Sequence, residues 1–90
     1  MNALVTGATG FVGGHVAEAL LERGARVTIL ARSAARAARL AERGARVVLG
    51  GLDDRAALER AAAAQDVVIH AAGLIAAAST LSVPAALTRS

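Results

Sequence analysis

Three glycines at fixed spacing separate an apolar segment from a helical pattern near the start of the chain. Residues 3–7, ALVTG, form a short apolar run that predicts a buried strand. Gly7, Gly10 and Gly13 follow as G-x-x-G-x-x-G, and apolar residues then recur at helical spacing up to Gly24. A helix that begins at such a turn presents free backbone N–H groups to an anion. The arrangement predicts a phosphate-binding turn; the plainer alternative is a structural connection between strand and helix.

Each glycine of this turn has its own expected role. Gly7 allows a tight exit from the strand, Gly10 removes a Cβ where a pyrophosphate approaches, and Gly13 lets the helix pack closely. The helix is expected to bury a face formed by Val12, Val16, Ala19 and Leu20.

The rest of the chain alternates between apolar runs and helical patterns. Further strands are expected at 25–31, 45–50 and 66–73, and helices at 33–43, capped by Ser33, and from Asp53 or Asp54 to about Ala64. Such alternation with short links implies a parallel sheet with right-handed crossovers. The expected fold class is α/β, an incomplete three-layer Rossmann-like sheet of order 3-2-1-4.

Two segments need separate interpretation. The hexapeptide ERGARV occurs at 22–27 and 42–47, which indicates one helix-to-strand junction used twice rather than a solenoid repeat. After residue 73 the pattern fades: 74–82 could form a helical turn or two, and no further strand is evident. We therefore expect residues 1–73 to form the N-terminal half of a dinucleotide-binding domain, with 74–90 an unassigned tail. Unless the tail covers it, the fourth strand would then be an open edge, through which the chain could self-associate.

The end of the second strand indicates which dinucleotide is bound. A dinucleotide site usually has an acid about 20 residues beyond the glycines, which holds the ribose 2′-hydroxyl. Here Arg32 stands at that point, and an arginine can pair with a 2′-phosphate. This favours NADP over NAD; the alternative is a solvated arginine at a helix start. Arg32 also begins a basic stripe with Arg36, Arg39 and Arg43, which is typical of a solvent-exposed helix face and less so of a polyanion-binding surface.

The ends of the third and fourth strands supply the remaining candidates, because ligands bind at the carboxyl ends of parallel strands. Asp53 could touch an adenine, although capping of the third helix is the favoured role. His70 could act as a general base by its residue type, but a structural role is favoured because no partner is evident for it. Ala71, Ala72 and Gly73 are small enough for backbone to lie against a cofactor.

Composition narrows the function classes. The chain has 56% hydrophobic residues, no cysteine, no tyrosine and no lysine, and a net charge of +3. The absence of cysteine fits a cytoplasmic protein and leaves no thiolate metal site. Residues 67–88 carry no Asp, Glu, Lys or Arg, but polar residues and Pro84 interrupt them, so a membrane span is not the favoured interpretation. Nucleic-acid binding is not favoured either, because a basic net charge is only part of the evidence that such a function needs.

Together these segments resemble the extended short-chain dehydrogenase/reductase family, the NAD-dependent epimerase/dehydratase group. TGATGFVG is similar to the family's T-G-x-x-G-x-x-G, VTILARS to its second strand, VVLGGLDDRAAL to its G-D-L-x-D stretch and DVVIHAAG to its D-x-V-x-H-x-A-A stretch. The resemblance covers residues 1 to about 73.

The resemblance implies an NADP site, with NAD as the alternative. The backbone of residues 9–12 would hold the pyrophosphate, Arg32 would meet the adenosine phosphate, Leu52 and its neighbours would flank the adenine, and residues 71–73 the nicotinamide-side ribose. The expected cofactor-binding residues are Gly7, Thr9, Gly10, Phe11, Val12, Gly13, Arg32, Leu52, Asp53, Ala71, Ala72 and Gly73.

Two departures from the family pattern affect the expected function. Gly51 stands where the G-D-L motif has its aspartate, so a side-chain contact to adenine is lost. The family's catalytic Tyr-x-x-x-Lys pair is absent, so we expect the NADP-binding portion of an oxidoreductase or epimerase, inactive alone and with no catalytic residue of its own. The alternatives are a non-catalytic NADP sensor and, less favoured, an arginine-striped nucleic-acid-binding protein.

Overall fold

The computed structural model describes residues 1–71 and 77–80. Strands and helices alternate along the described chain up to the last strand. They are β1 (Asn2–Thr6), α1 (Phe11–Glu22), β2 (Arg26–Ala31), α2 (Ala34–Glu42), β3 (Arg46–Leu49), α3 (Arg55–Ala62), β4 (Val67–His70) and β5 (Ala77–Thr80). The predicted elements are confirmed in order and type up to β4, with bounds that differ by one to three residues.

The strands form one sheet in the order β3-β2-β1-β4-β5. The pairs β1–β2, β2–β3 and β1–β4 are parallel. The predicted α/β class and the 3-2-1-4 order of the parallel strands are therefore confirmed. This order places β1 at the centre, so the loop that follows β1 lies in the middle of the sheet's carboxyl edge.

Helices cover both faces of the sheet. Alternate residues of a strand point to opposite faces, so Val5 and Ile29 pack with α1 and α2, whereas Leu4 and Leu30 pack with α3. Both cores consist of Val, Leu, Ile and Ala side chains, as the composition predicts. The central strands β1 and β2 are buried on both sides, which explains their continuous apolar runs.

Helix α1 approaches the sheet through its smallest residues. Gly13 and Ala17 are its buried positions, with Val16 and Leu20 partly buried against the same core. Ala19, predicted on the buried face, is exposed. The buried face of α1 is thus rotated from the predicted face. Gly13 and Ala17 face the sheet because their small size allows the closest approach of the helix backbone to the sheet backbone.

The repeated hexapeptide forms the same junction in both places. After α1 and after α2, the glycine N–H donates to the carbonyl three residues earlier, and the following alanine N–H to the carbonyl five residues earlier, all four bonds measuring 3.0 Å. This pairing is a Schellman-type helix end. The interpretation of ERGARV as one junction used twice is confirmed.

Strand β5 corrects two expectations. It pairs antiparallel with β4, Val67 opposite Thr80 and His70 opposite Ala77. The prediction that no strand follows residue 73 is wrong, and β4 is not an open edge because residues 77–80 of the tail cover it. The sequence did not show this strand because a chain of alanine, serine and threonine has no alternating apolar pattern; pairing with β4 defines it. Self-association through an edge strand stays a prediction.

No helix within the described ranges has both the length and the apolar character needed to cross a membrane.

Candidate functional site

The carboxyl edge of the parallel sheet brings together residues from four strand ends. The glycine turn follows β1, Arg32 follows β2, Leu52 and Asp53 follow β3, and Ala71 follows β4. Ala72 and Gly73, also predicted as site residues, lie outside the described residues.

The glycine turn leads directly from β1 into α1. Gly7 has φ +72°, a left-handed conformation that glycine adopts without strain. The Gly10 N–H donates to the Gly7 carbonyl at 3.1 Å, and the Gly10 carbonyl accepts from the Gly14 N–H at 2.9 Å. The tight exit predicted for Gly7 is therefore present.

Gly13 is required by packing within the protein. A Cβ there would lie 2.6 Å from the Gly7 carbonyl carbon and 2.9 Å from the Ala8 Cα, and closer still to the Gly7 carbonyl oxygen. These are backbone atoms, which cannot rotate away. The helix can contact the turn this closely only because residue 13 has no side chain.

Gly10 differs, because the protein alone does not require a glycine there. Its φ of −87° and ψ of 176° are accessible to any residue. A Cβ would lie 3.4 Å from the Gly7 carbonyl oxygen, which is an ordinary van der Waals contact. The space in front of Gly10 is therefore open to a ligand rather than filled by the fold.

The start of α1 is suited to an anion. Gly10 is the N-cap and offers no side chain to the first-turn amides, and the first turn carries no acidic residue. The first N–H groups of a helix lack partners within the helix, and the helix dipole favours negative charge there. A diphosphate group fits this end of the helix in both hydrogen bonding and charge.

A cleft of about 210 Å³ lies beside the turn, between α1 and α2. Its lining includes Thr9, Gly10, the exposed Phe11, and Arg36 and Arg39 from α2. The sequence predicts Arg36 only as part of the solvated stripe. Its spacing carries no signal that separates it from Arg39 and Arg43, and Arg32 precedes the Ser33 N-cap and so lies outside α2.

Arg32 and Asp53 meet across Gly51. The Arg32 Nη2 lies 3.1 Å from the Asp53 Oδ1. A Cβ at Gly51 would lie 2.5 Å from that Nη2 and 2.6 Å from that Oδ1, so the two side chains cross directly above the bare backbone. The favoured helix-capping role of Asp53 is wrong: the neighbouring Asp54 caps α3, its Oδ1 accepting from the Ala57 N–H at 3.1 Å.

The other candidates flank these groups. Leu52 is half exposed at the loop after β3, which suits a flat apolar ligand such as adenine. Ala71 is buried, and its N–H donates to the Thr6 carbonyl at 3.0 Å, so it extends β4 alongside β1. The His70 Nδ1 lies 3.1 Å from the Thr6 hydroxyl oxygen, which supports the structural role for this histidine.

Much of the basic stripe on α2 is compensated by acids. Arg39 pairs with Glu18 at 3.2 Å and Arg43 with Glu22 at 3.4 Å, both linking α2 to α1. The stripe therefore supports helix packing, and less of its charge is available to a polyanion.

The sequence matches the model of the NAD-dependent epimerase/dehydratase family over residues 3–90. The chain belongs to this family. The match extends beyond residue 73, where the resemblance visible in the sequence ends. Family and fold bind a nicotinamide dinucleotide, and the uncapped α1 start with the open space at Gly10 fits such a group.

Several known proteins of this kind are similar to the chain. A 4-hydroxy-2-methyl-3-oxo-4-farnesyl-3,4-dihydroquinoline-1-oxide ketoreductase from Stigmatella aurantiaca is 39% identical over 80 residues, which are 89% of this chain and 24% of the relative. A nucleoside-diphosphate-sugar epimerase from Pseudomonas aeruginosa superposes with a TM-score of 0.71 at 32% identity, covering 79% of this chain and 24% of that one.

A binary complex of leucoanthocyanidin reductase with NADPH, from Vitis vinifera, superposes with a TM-score of 0.57 at 34% identity, covering 67% of this chain and 22% of that one. The 90-residue chain spans about a quarter of the length of these relatives.

Proposed function

We propose that this chain is the NADP(H)-binding portion of an oxidoreductase or epimerase of the extended short-chain dehydrogenase type. The single observation that carries the preference for NADP(H) is Arg32. It follows β2, where a site for NAD(H) has a carboxylate, and its side chain is 74% exposed on the edge that also carries the glycine turn. A guanidinium matches phosphate geometry and charge, whereas it offers little to a free 2′-hydroxyl.

The other site residues have matching roles in this proposal. The amides of residues 9–12 hold the diphosphate at the uncapped α1 start, and Gly7 and Gly13 shape the turn that presents these amides. Leu52 lies against the adenine, and Asp53 lies beside Arg32 at the adenosine end. Arg36, in the cleft beside Thr9, adds a second positive charge.

The bound cofactor would supply hydride transfer, while this chain supplies binding and orientation. The family's transfer step uses a Tyr-x-x-x-Lys pair, and the sequence contains no tyrosine and no lysine. We therefore propose that the 90-residue chain alone binds cofactor without turnover. The cytoplasmic location expected from the composition stays a prediction.

Calorimetric titration of the chain with NADPH and NADH tests the cofactor proposal. We expect NADPH to bind more tightly, and Arg32→Ala to weaken NADPH by about tenfold, since a hydrogen bond to a charged group contributes about 1.5 kcal/mol or more. Arg26→Ala is the matched control, because it removes an exposed arginine at the opposite end of the same strand. Equal affinity of Arg32→Ala and the parent protein for NADPH would refute the role of Arg32.

A turnover assay addresses the second half of the proposal. NADPH oxidation by the chain with carbonyl substrates should not exceed that of a Gly10→Asp variant, whose carboxylate would oppose the diphosphate. Turnover above this control would show that the chain carries a catalytic group of its own and would refute the proposal.

The same measurements distinguish the cofactor-binding portion of an enzyme from a non-catalytic NADP sensor. A sensor must bind NADPH tightly on its own, at concentrations where a cofactor-binding portion of a larger active site would bind weakly. A nucleic-acid-binding function would instead show DNA affinity that falls steeply with salt; the ion pairs of Arg39 and Arg43 count against it.

A further inference from the structure

We propose that Asp53 is a specificity-determining residue of the cofactor site. Its carboxylate pairs with Arg32, and the 2′-phosphate of NADP(H) must displace it. The inference rests on the proposed function, because it assigns the 2′-phosphate to Arg32. It goes further in predicting that Asp53 opposes NADP(H) binding and so sets its affinity.

The contact between the two side chains is close but easily broken. The Arg32 Nη2 donates to the Asp53 Oδ1 at 3.1 Å, and the side chains are 74% and 77% exposed. Exposed ion pairs contribute little to stability because water and salt screen them. A phosphate with two negative charges and three acceptor oxygens is a stronger partner for the same guanidinium than one carboxylate.

Gly51 makes this contact possible. A methyl group at residue 51 would lie 2.5 Å from the Arg32 Nη2 and 2.6 Å from the Asp53 Oδ1, so any larger residue would push the two apart. At this same position the G-D-L motif has an aspartate. In this chain the acid that faces Arg32 is Asp53, two residues further on.

Among the described residues, Asp53 neither caps a helix nor forms a hydrogen bond with any side chain other than Arg32. Asp54 caps α3 by accepting from the Ala57 N–H, and Asp53 has only the contact with Arg32. A substitution at Asp53 should therefore leave the fold intact. Its effect on cofactor binding can be read without a change in stability.

The two negative groups would also repel each other once the cofactor binds. A carboxylate next to Arg32 and a phosphate on the same arginine are like charges at short range, which raises the free energy of the complex. A cofactor with a free 2′-hydroxyl brings no charge to this point. Asp53 therefore lowers the affinity for NADPH selectively and leaves that for NADH unchanged.

Titration of three proteins with NADPH and NADH at one ionic strength tests the inference. We expect Asp53→Asn to tighten NADPH binding by about two- to fivefold, the range that an exposed charge pair allows, and to leave NADH unchanged. Glu59→Gln, which removes an exposed carboxylate from α3, is the matched control for net charge and should change neither. Adenosine 2′,5′-bisphosphate should gain affinity as NADPH does, whereas 5′-AMP, which has a free 2′-hydroxyl, should be unchanged; both carry only the adenosine end.

The titrations can fail in three ways, and each result bears differently on the inference and on the proposed function. Unchanged or weaker NADPH binding by Asp53→Asn, with normal binding by the parent protein, would overturn the inference and leave the proposed function standing. An equal gain for NADPH and NADH would overturn it too, because it would show a general charge effect. If the parent protein binds neither dinucleotide, the proposed function fails first and the inference fails with it.

Discussion

Replacement of Gly13 by alanine should destabilise the protein, whereas the same change at Gly14 should not. The two glycines are neighbours in α1, so both substitutions gain the same helix propensity, about 1 kcal/mol. They differ in what the new methyl group meets. At Gly13 it would overlap the backbone of Gly7 and Ala8, with distances of 2.6 and 2.9 Å to two carbon atoms. At Gly14 it would lie 3.2 Å from the Ala8 carbonyl oxygen, which a shift of a few tenths of an ångström relieves.

The magnitude follows from these distances. Overpacking of a closely packed site costs about 1–3 kcal/mol, and a clash with rigid backbone belongs at the upper end of that range. After the propensity gain, Gly13→Ala should lower the free energy of unfolding by about 2 kcal/mol. For a domain of this size that corresponds to a fall in melting temperature of roughly 8–16 °C. Gly14→Ala should be neutral or slightly stabilising.

Urea unfolding followed by far-ultraviolet circular dichroism measures the difference. The chain has no tryptophan and no tyrosine, so intrinsic fluorescence offers no useful signal. If Gly13→Ala proved as stable as Gly14→Ala, the close contact between α1 and the glycine turn would be wrong. The assigned roles of the three glycines would then lose their structural basis.

Four further substitutions test separate parts of the site. Gly10→Ala should cost less than about 1 kcal/mol of stability, the difference between glycine and alanine at an N-cap. It should weaken NADPH binding at least about tenfold, because the methyl group covers the helix amides. Calorimetry and urea unfolding of one preparation give both values, and an unchanged affinity would contradict the prediction. Asp54→Ala should lower the free energy of unfolding by about 1 kcal/mol through loss of the cap on Ala57, whereas Asp53→Ala should change it by less than about 0.5 kcal/mol; equal effects in urea would be contrary evidence. Arg36→Ala should weaken NADPH by about threefold, as expected for one exposed charge, and calorimetry showing no change would remove Arg36 from the site.

The parallel part of the fold could be predicted from the sequence because its local signals agree. Continuous apolar runs marked the strands, and Ser33 and the two ERGARV glycines marked helix ends, where the structure has a cap from Ser33 to the Arg36 N–H and two equivalent junctions. These features depend on residues close together in the chain. Periodicity and capping therefore sufficed to predict them.

The features that the sequence did not predict depend on tertiary contacts. The choice between Asp53 and Asp54 as the cap could not be made, because both residues have capping chemistry and only the path of the β3–α3 loop places Asp54 against Ala57. The predicted buried face of α1 is wrong because it follows the larger apolar side chains. The backbones of α1 and the sheet approach each other most closely through Gly13 and Ala17.

The antiparallel strand β5 uses the row of backbone groups along the outer side of β4, with four residues on each strand in register. In a doubly wound sheet of this order, that is the place next to the fourth strand which a following parallel strand takes. A polypeptide bringing such a strand, covalently joined or added separately, could dock there only after Ala77–Thr80 had peeled away. The opening rate of this hairpin would then limit how fast the sheet could be extended, and amide hydrogen exchange along Val67–His70 would measure it.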